Sequence, residues 1–328
     1  MDTAELDYDL PIDAVAQVPA EPRDAARLLV DYGPGSVPVH RVVRDLPGFL
    51  GPGDVLVVND TKVRPARLRL RRPSGGRAEV LLLDERPGGG WEALVRPSRR
   101  IHAGTRLLGT GGLVAVVGED LGGGRRLVAI EGDVDAAGEV PLPPYIHTPL
   151  EDPARYQTVY ARRPGSAAAP TAGLHLTEDV LARCRAAGAV VATVDLAVGV
   201  DTFRPINVER VEDHPMHSEG YVVPEATMRA CAGADRVVAV GTTAARALES
   251  VAATGELAGR TSLFIHGDYP FRMVDRLLTN FHVPRTTLLA LVDAFVGPRW
   301  RDLYAAALTE GYRFLSFGDA MLLLRERG

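Results

Sequence analysis

Three short segments of this sequence contain side chains that could perform acid–base chemistry or hold an anion. In the first, residues 165–177, small residues precede His175, and Thr177 is a candidate helix N-cap. A positive imidazolium is unfavourable at a helix N-terminus, so we expect a neutral His175 that acts as a base or hydrogen-bond partner. The small residues would let the backbone approach a flat ligand closely. A flexible loop beside a core histidine is the structural alternative.

The second segment, Gly241-Thr242-Thr243, separates a predicted strand from a predicted helix. Backbone N–H groups and two hydroxyls at such a position could hold a carboxylate or a phosphate. The segment lacks the Gly-Lys-Ser/Thr ending of a P-loop, and no Gly-x-Gly-x-x-Gly pattern follows a strand anywhere in the chain. A plain helix cap explains it equally well.

The third segment holds two histidines, His214 and His217, three residues apart. This spacing could place two metal ligands on one helix face. Pro215 lies between them, however, and no clear third ligand accompanies them, so we expect no metal site. A Ser-His-Asp triad could be drawn through Ser166, but the Gly-x-Ser-x-Gly elbow is absent.

A basic stretch at residues 62–72 contains no acidic residue. It includes Lys62, the single lysine among the 37 lysines and arginines of the chain. Arg67, Arg69 and Arg71 alternate with leucines, so a strand would place three guanidinium groups on one face. Such a row suits phosphate neutralisation, whereas an edge strand protected by charge is the structural alternative.

Composition limits the class of protein. A length of 328 residues exceeds what one hydrophobic core supports, so we expect two domains. Hydrophobic residues at 46% and charged residues at 24% exclude wholesale disorder. A net charge of −5 excludes a general polyanion binder, so a nucleic acid would have to meet a local basic patch. Two cysteines, an acidic N-terminus and no long apolar run indicate a cytoplasmic protein with reduced thiols and no membrane span.

The elements that must position these residues follow two patterns. Residues 66–131 are short strands broken by glycine clusters, which is typical of a small β-barrel or sandwich. Strands and helices alternate in the C-terminal half, which is typical of an α/β protein. We therefore predict an α/β core with a mixed sheet, residues 1–61 and 156–328, interrupted by an inserted β-barrel domain at 62–155. Within the core we expect a helix over 21–29, strands at 54–58, 190–194, 236–240, 263–265 and 312–316, and helices at 286–295 and 300–308.

Polar and proline-rich segments spread over residues 6–324 form a recognisable set. They include Asn59-Asp60-Thr61-Lys62-Val63, Leu142-Pro143-Pro144-Tyr145-Ile146, Arg155-Tyr156-Gln157-Thr158-Val159-Tyr160-Ala161, Pro170-Thr171-Ala172-Gly173-Leu174-His175, Met216-His217, Val240-Gly241-Thr242-Thr243, Thr279-Asn280-Phe281-His282 and Gly318-Asp319-Ala320-Met321. In this order they resemble the S-adenosylmethionine:tRNA ribosyltransferase-isomerase family of queuosine biosynthesis. The resemblance implies a two-domain fold, with an α/β core and an inserted β-barrel.

The resemblance also implies a reaction. The ribosyl part of S-adenosylmethionine would be transferred to the aminomethyl group of a 7-deazaguanine at the tRNA wobble position. Adenine and methionine would leave, and epoxyqueuosine would form. The implied partners are tRNA and S-adenosylmethionine as a substrate, with no separate cofactor, no metal and no membrane; we expect a monomer.

Candidate residues for each task follow from the same resemblance. His175 or His217 would remove an acidic proton at C5′, next to the sulfonium. Asp60 or Asp319 would relay a proton or bind a ribose hydroxyl, and Thr242-Thr243 would hold the methionine carboxylate. Further substrate-binding candidates are Tyr156, Gln157, Thr171, Gly173, Asn280 and His282. Candidates for tRNA binding are Lys62, Arg64, Arg67, Arg69 and Arg71. The substrate-binding groups are expected to converge on one nucleoside-sized hollow.

Three departures from the family pattern leave alternatives open. Ala197 stands where a histidine is usual, Asp201 replaces a glycine, and Gly267-Asp268 lies in an altered turn. One alternative is a divergent paralogue that uses S-adenosylmethionine with a small-molecule acceptor or only eliminates adenine. Another is a non-catalytic RNA-binding paralogue.

Overall fold

The chain folds into two compact units. The computed structural model describes residues 1–86, 88–199 and 204–325. The α/β unit comprises Met1–Lys62, Pro143–Arg163 and Ala169–Gly328, and the barrel unit comprises Val63–Leu142 and Pro164–Ala168. The predicted insert extends to residue 155, whereas the structure groups Pro143–Arg163 with the α/β unit.

Seventeen strands and six α-helices are defined within the described residues. The strands are β1 (Arg27–Asp31), β2 (Val39–Val42), β3 (Asp54–Asn59), β4 (Thr61–Val63), β5 (Arg67–Arg71), β6 (Arg77–Glu85), β7 (Trp91–Arg96), β8 (Arg106–Leu108), β9 (Val114–Gly122), β10 (Arg125–Glu131), β11 (Arg163–Ser166), β12 (Val190–Leu196), β13 (Glu219–Val222), β14 (Arg236–Val240), β15 (Ala258–Thr261), β16 (Arg276–Asn280) and β17 (Ala320–Leu324). The helices are α1 (Val134–Ala137), α2 (Glu178–Ala186), α3 (Glu225–Ala232), α4 (Thr242–Thr254), α5 (Thr287–Val296) and α6 (Trp300–Thr309).

A nine-stranded sheet forms the centre of the α/β unit, in the order β15-β13-β12-β3-β14-β16-β17-β1-β2. The neighbours β12, β3, β14 and β16 are parallel, and β17 runs antiparallel to β16. Every residue of β3 is buried, as expected for a parallel strand covered on both faces. The predicted α/β core with a mixed sheet is confirmed.

Helix α2 packs on one face of this sheet. Leu56, Val238 and Leu278, from three neighbouring strands, lie in one buried cluster with Leu181 of α2. Burial of each such side chain stabilises the fold by about 1.5–3 kcal/mol. The Thr177 hydroxyl caps the start of α2, as predicted.

The barrel unit is a closed antiparallel barrel in the order β10-β7-β6-β5-β8-β9. Leu68 and Leu70 of β5 pack inside it against Val80 and Val95. The residues that alternate with these leucines point outward, because successive side chains of a strand face opposite sides. The predicted inserted β-barrel is confirmed.

Three predictions of individual elements are wrong. The segment 21–29 forms a single 3₁₀ turn, Arg23–Ala25, followed by β1, because pairing with β2 and β17 outweighs the local helix-start signals. No strand forms at residues 263–265, which the structure describes as a loop. The strand predicted at 312–316 is found instead at β17, because Leu315 has a φ of 70°, which interrupts an extended strand.

The substitution Gly318→Ala should destabilise the α/β unit, whereas Gly220→Ala should not. A Cβ at Gly318 would lie 2.6 Å from the carbonyl oxygen of Phe314, and backbone atoms cannot easily move aside. Overpacking of this kind costs about 1–3 kcal/mol. A Cβ at Gly220 would have no atom beyond its chain neighbours within 4 Å. Urea unfolding followed by circular dichroism measures both variants, and equal free energies of unfolding would contradict the prediction.

Candidate active site

The carboxyl ends of β3, β14 and β16 meet at one edge of the nine-stranded sheet, because these strands are parallel and adjacent. Polar residues lie at each end: Asn59-Asp60, Gly241-Thr242-Thr243 and Thr279-Asn280. Ligand sites of open α/β sheets form at this edge. The sheet therefore brings together three of the segments singled out from the sequence.

One hollow in the α/β unit, the His217 hollow, has a volume of about 380 Å³. Its walls are formed by Met216, His217, Glu219, Thr242, Thr243, Arg246, Leu263, Phe264, Ile265, Thr287, Leu288 and Leu291. The hollow therefore joins the base candidate His217 to the candidate anion site at Thr242-Thr243.

The buried carboxylate of Glu219 orients His217. Nε2 of His217 lies 3.0 Å from Oε1 of Glu219, and the same oxygen accepts a hydrogen bond from the N–H of Gly199 at 2.8 Å. Burial favours a raised pKa for Glu219, but the hydrogen bond from His217 and the charge of Arg246 hold this pKa below its usual value. Because an ionised carboxylate only accepts hydrogen bonds, Nε2 of His217 carries a proton.

Arg246 of α4 forms the wall behind this pair. Its guanidinium is hydrogen-bonded to Glu219 and donates to the carbonyl oxygens of Leu263 at 2.9 Å, Thr261 at 2.9 Å and His217 at 3.1 Å. Arg246 and Glu219 are each only 6% exposed. Additional hydrogen bonds of this kind are needed to offset the desolvation of a buried ion pair. Four of the five N–H donors of Arg246 are therefore occupied by the protein itself.

The first turn of α4 presents hydrogen-bond donors at the His217 hollow. Gly241 precedes the helix with a φ of 86°, a conformation that favours glycine. The N–H groups of Thr242 and Thr243 have no acceptor inside the helix, since they belong to its first turn. The Thr243 hydroxyl oxygen is buried and has no partner in the described part of the chain. These donors and the dipole of a 13-residue helix suit an anionic ligand.

A second hollow, the Asn280 hollow, has a volume of about 300 Å³ and shares Leu288 with the His217 hollow. It is lined by Tyr145, Thr171, Asn280, Phe281, His282, Val283, Thr286, Leu288, Leu315 and Ser316. The substrate-binding candidates Thr171, Asn280 and His282 therefore lie together. The structure has two adjoining hollows where one had been expected.

Asn280 sets the tautomer of His175. The Asn280 amide nitrogen lies 3.1 Å from Nε2 of His175 and donates to the carbonyl oxygens of Leu315 at 3.1 Å and Asp319 at 3.3 Å. The two carbonyls fix the amide orientation, and one of the two amide hydrogens is shared with Nε2 of His175, so the imidazole proton resides on Nδ1. The other amide atom of Asn280, Oδ1, is a buried acceptor with no partner among the described residues.

His175 is neutral near pH 7, as expected, but for a different reason. Burial, followed by the charges of Arg313 and Arg23, lowers the pKa of His175 to about 4. The residue ends the 3₁₀ helix Thr171–His175, and α2 begins only at Glu178. Desolvation, rather than the helix N-terminus invoked from the sequence, is the largest cause.

Two further candidates are held by hydrogen bonds inside the protein. Oδ1 of Asp319 accepts the backbone N–H of Arg27, and Oδ2 accepts that of Arg313, both at 2.8 Å. Nε2 of His282 lies 2.9 Å from Oγ1 of Thr279, and burial lowers the pKa of His282 to about 3. Because both carboxylate oxygens of Asp319 already serve backbone groups, its geometry favours a positioning role over the proton relay expected from the sequence.

Asp60, at the end of β3, lies beside Asp195 of β12. The Oδ1 atoms of both are buried with no hydrogen-bond partner in the described chain. Burial raises the pKa of both carboxyls; Arg163 opposes the effect on each, and the charge of Asp195 adds to it for Asp60. The Tyr160 hydroxyl is also buried, and a Cβ at Gly173 would collide with it. Asp60 therefore holds a proton more readily than an exposed aspartate.

Tyr156 and Gln157 do not line either hollow. Tyr156 is buried with its ring edge-on to Phe317, at 5.9 Å between centroids, and the Gln157 carbonyl oxygen accepts a hydrogen bond from Arg23 at 2.6 Å. Both residues therefore lie outside the walls of the two hollows.

Glu219, Arg246 and Asp195 are site residues that the sequence did not indicate. Glu219 and Arg246 are 27 positions apart, and only tertiary structure pairs them. One local signal was present: Glu219 follows His217 by two positions, and residues two apart in an extended segment face the same side.

The basic candidates at residues 62–71 have different surroundings. Nη1 of Arg64 lies 3.6 Å from Glu85, and Nε of Arg69 lies 2.8 and 2.7 Å from the two carboxylate oxygens of Glu139. Arg71 is exposed, with no carboxylate partner among the described residues. The remaining candidates are Lys62, which is exposed, and Arg67, which is half-buried.

The positions that depart from the family pattern are only partly described. The Ala197 N–H donates to the carbonyl oxygen of Gly220 at 3.0 Å. Gly267 has a φ of 58° and lies two positions after Ile265, which lines the His217 hollow. Asp201 lies outside the described residues.

Across residues 1–86, 88–199 and 204–325, no three His, Cys, Asp or Glu side chains are grouped so that they could hold a metal ion. Both cysteines, Cys184 and Cys231, are buried thiols. No helix in these ranges combines the length and apolar character needed to cross a membrane.

Comparisons with known proteins match the whole chain. The family model described as "Queuosine biosynthesis protein" matches residues 3–323. A protein of Rubrobacter xylanophilus named S-adenosylmethionine:tRNA ribosyltransferase-isomerase is 57% identical over 99% of this chain and 98% of its own length. A Thermus thermophilus protein of the same name is 52% identical over 97% of this chain and 98% of its own length. The crystal structure of S-adenosylmethionine tRNA ribosyltransferase from Thermotoga maritima has a TM-score of 0.57 and 36% identity, covering 98% of this chain and 100% of that one.

His175 should lower the free energy of unfolding of the protein as the pH falls. Its pKa is about 4 in the folded protein against an ordinary value of 6.5, so the neutral side chain favours folding above pH 6.5 and this contribution is lost towards pH 4. His175→Gln removes the contribution, whereas His282 contributes equally in both proteins. Urea unfolding at about pH 7 and about pH 5 measures this effect. The free energy of unfolding of the variant, relative to that of the wild type, should be higher at the lower pH. A constant difference between the two proteins would contradict the prediction.

Proposed function

The chain belongs to the queuosine biosynthesis protein family, and on that premise we propose that the His217 hollow is where it transfers and isomerises the ribosyl moiety of S-adenosylmethionine. The acceptor is the 7-aminomethyl-7-deazaguanine wobble base of tRNA. Adenine and methionine leave, and epoxyqueuosine forms. The observation that carries this assignment is the His217–Glu219 pair, which shares one hollow with the first turn of α4.

This reaction is favoured over the divergent and the non-catalytic alternatives. Relatives named for the reaction are 46–57% identical to the chain over nearly its full length. The departures at Ala197 and Gly267-Asp268 leave the contact between His217 and Glu219 in place.

His217 removes the proton that starts the reaction. Protons on C5′ of the ribose are acidic because they lie next to the sulfonium, and the Nδ1 lone pair of His217 accepts one. Glu219, 3.0 Å from Nε2, stabilises the imidazolium that forms. His175 does not take this role, because its Nε2 lone pair accepts from Asn280 and its Nδ1 carries the proton.

The methionine carboxylate binds at the first turn of α4. The N–H groups of Thr242 and Thr243 and the hydroxyl of Thr243 donate to it, and the helix dipole adds about 0.3–1 kcal/mol. Arg246 is not its partner, because four of the guanidinium donors are already engaged. Phe264 and Met216 provide an apolar wall on which a purine ring can pack.

The Asn280 hollow supplies neutral polar groups for the ribose. Thr171 offers a hydroxyl and Asn280 the unpartnered Oδ1 acceptor, while His175 contacts Asn280 and does not itself line the hollow. Asp60 relays a proton, consistent with its raised pKa. Asp319 positions Asn280 through its carbonyl oxygen. His282 lines the Asn280 hollow, whereas Tyr156, Gln157 and Gly173 lie outside the walls of both hollows.

Binding of tRNA requires local positive charge on a chain with a net charge of −5. The groups that meet its phosphates include Lys62, Arg64, Arg67, Arg69 and Arg71. S-adenosylmethionine itself carries both leaving groups, so no separate cofactor takes part. The enzyme acts as a monomer in the cytoplasm, where tRNA is present.

Adenine release tests the reaction directly. The protein is incubated with S-adenosylmethionine, with and without tRNA that carries the 7-aminomethyl-7-deazaguanine base, and adenine is followed by chromatography. Adenine should appear only with the modified tRNA. Release without tRNA would favour the divergent paralogue, and release of S-adenosylhomocysteine would contradict the reaction altogether.

Substitutions of His217 and Glu219 should distinguish the base from the residue that positions it. His217→Gln should lower kcat by about 10²–10⁴-fold. Glu219→Gln should also lower kcat, because the imidazolium that forms loses its negative neighbour. His175→Gln should not reproduce the loss caused by His217→Gln.

A double-mutant cycle distinguishes this role of Glu219 from a purely structural one. Glu219→Gln should lower kcat much less in the His217→Gln background than in the wild type, because Glu219 acts through His217. Partial unfolding would reduce the active fraction equally in both backgrounds, so equal losses would rule out the positioning role.

A further inference from the structure

An open groove on the barrel unit gathers exposed arginines. This barrel groove has a volume of about 1790 Å³ and is formed by β5, β6, β7 and the turn that follows β7. Its cationic lining residues, all exposed, are Arg69, Arg71, Arg77, Arg96, Arg99 and Arg100. Glu79 is the one acidic side chain among the described residues that line it. The groove is therefore strongly positive on a chain whose net charge is −5.

Most of this positive charge is not neutralised by carboxylates in the described part of the protein. Arg69 is paired with Glu139. The other five arginines have no carboxylate within 4.0 Å in the ranges that the structure describes. Glu79 is the cross-strand partner of Arg96 in the ladder between β6 and β7. The carboxylate of Glu79 nevertheless forms its ion pair with Nε of Arg67, at 4.0 Å.

Two of these arginines oppose each other directly. Arg71 of β5 and Arg77 of β6 are cross-strand partners. Like charges at such positions destabilise a sheet. Protection of an exposed edge does not explain them, because the barrel is closed and β5 lies between β6 and β8. This arginine cluster destabilises the fold and protects no sheet edge. Its presence therefore indicates that the groove binds an anionic ligand.

We propose that the barrel groove binds the phosphate backbone of the tRNA substrate. This inference rests on the proposed function and extends the tRNA contacts to Arg77, Arg96, Arg99 and Arg100. Guanidinium groups suit this task because they stay charged and donate two parallel hydrogen bonds to one phosphate.

The lining also indicates which part of the RNA is contacted. No aromatic side chain occurs among the described residues that line the groove, so stacking of unpaired bases is not provided for. Contacts from arginine to phosphate carry no sequence information. Binding in the barrel groove is therefore independent of sequence and strongly dependent on salt.

The test compares two triple variants that change the net charge equally. The groove variant carries Arg77→Ala, Arg96→Ala and Arg99→Ala. The control variant carries Arg106→Ala, Arg183→Ala and Arg229→Ala, which replace exposed arginines outside the groove that have carboxylate partners. Affinity for an unmodified tRNA transcript is measured over a range of NaCl concentrations. Thermal unfolding and binding of S-adenosylmethionine verify that each variant is folded.

Loss of three phosphate contacts should lower the slope of log affinity against log salt by about 2–3 and weaken binding about 100-fold near 0.1 M salt. In turnover, the KM for modified tRNA should rise while kcat at saturating tRNA is retained. The control variant should keep the wild-type slope. Equal slopes for the groove and control variants would overturn the proposal.

The outcomes distinguish this proposal from the reaction itself. A wild-type protein that binds tRNA through the groove but releases no adenine would overturn the reaction and support the groove. Adenine release with an unchanged KM in the groove variant would support the reaction and overturn the groove. If the groove variant lost binding only to phosphatidylserine vesicles, the groove would belong to a membrane surface and the proposal would be overturned.

Discussion

The buried ion pair between Glu219 and Arg246 is the interaction on which the candidate site depends. It joins β13 to α4, and its remaining hydrogen bonds reach Gly199, Thr261 and Leu263. Both charges are out of water, so removal of either partner leaves the other uncompensated, at a cost of about 3–5 kcal/mol. The same carboxylate fixes the proton of His217 on Nε2. One interaction therefore shapes the wall of the hollow and directs the lone pair of the proposed base.

The two histidines at the sheet edge are set for different tasks by their neighbours. His217 faces an ionised carboxylate, which stabilises a positive imidazolium. His175 is buried, receives an amide N–H at Nε2 and lies in the field of Arg313 and Arg23, all of which oppose protonation. A base must accept a proton and release it again, whereas a neutral donor must never change charge. The environments of the two side chains therefore assign the roles more firmly than their residue type does.

Local sequence patterns are sufficient for much of the fold but not for the site. The apolar runs of β3 and β14, the cap at Thr177 and the glycine-separated strands of the barrel follow from propensity and periodicity. The segment after Pro22 carries helix-start signals yet forms β1, because pairing with β2 and β17 decides its conformation. Asp195, which acts on Asp60, and Arg246, which pairs with Glu219, come from distant segments. The pKa values of Asp60 and Glu219 depend on burial and on these partners, neither of which a single sequence reveals.

In the barrel, the side chains that stabilise the fold and the arginines proposed to bind RNA lie on opposite faces of the strands. Its inward side chains, such as Leu68, Leu70 and Val80, each stabilise the fold by about 1.5–3 kcal/mol when buried. A like-charge pair across strands, such as Arg71 and Arg77, costs on the order of 0.2–1 kcal/mol. The closed ladder leaves no edge to protect, and the inner face supplies the stability. The outer face can therefore carry the positive charge that we propose an RNA phosphate backbone neutralises.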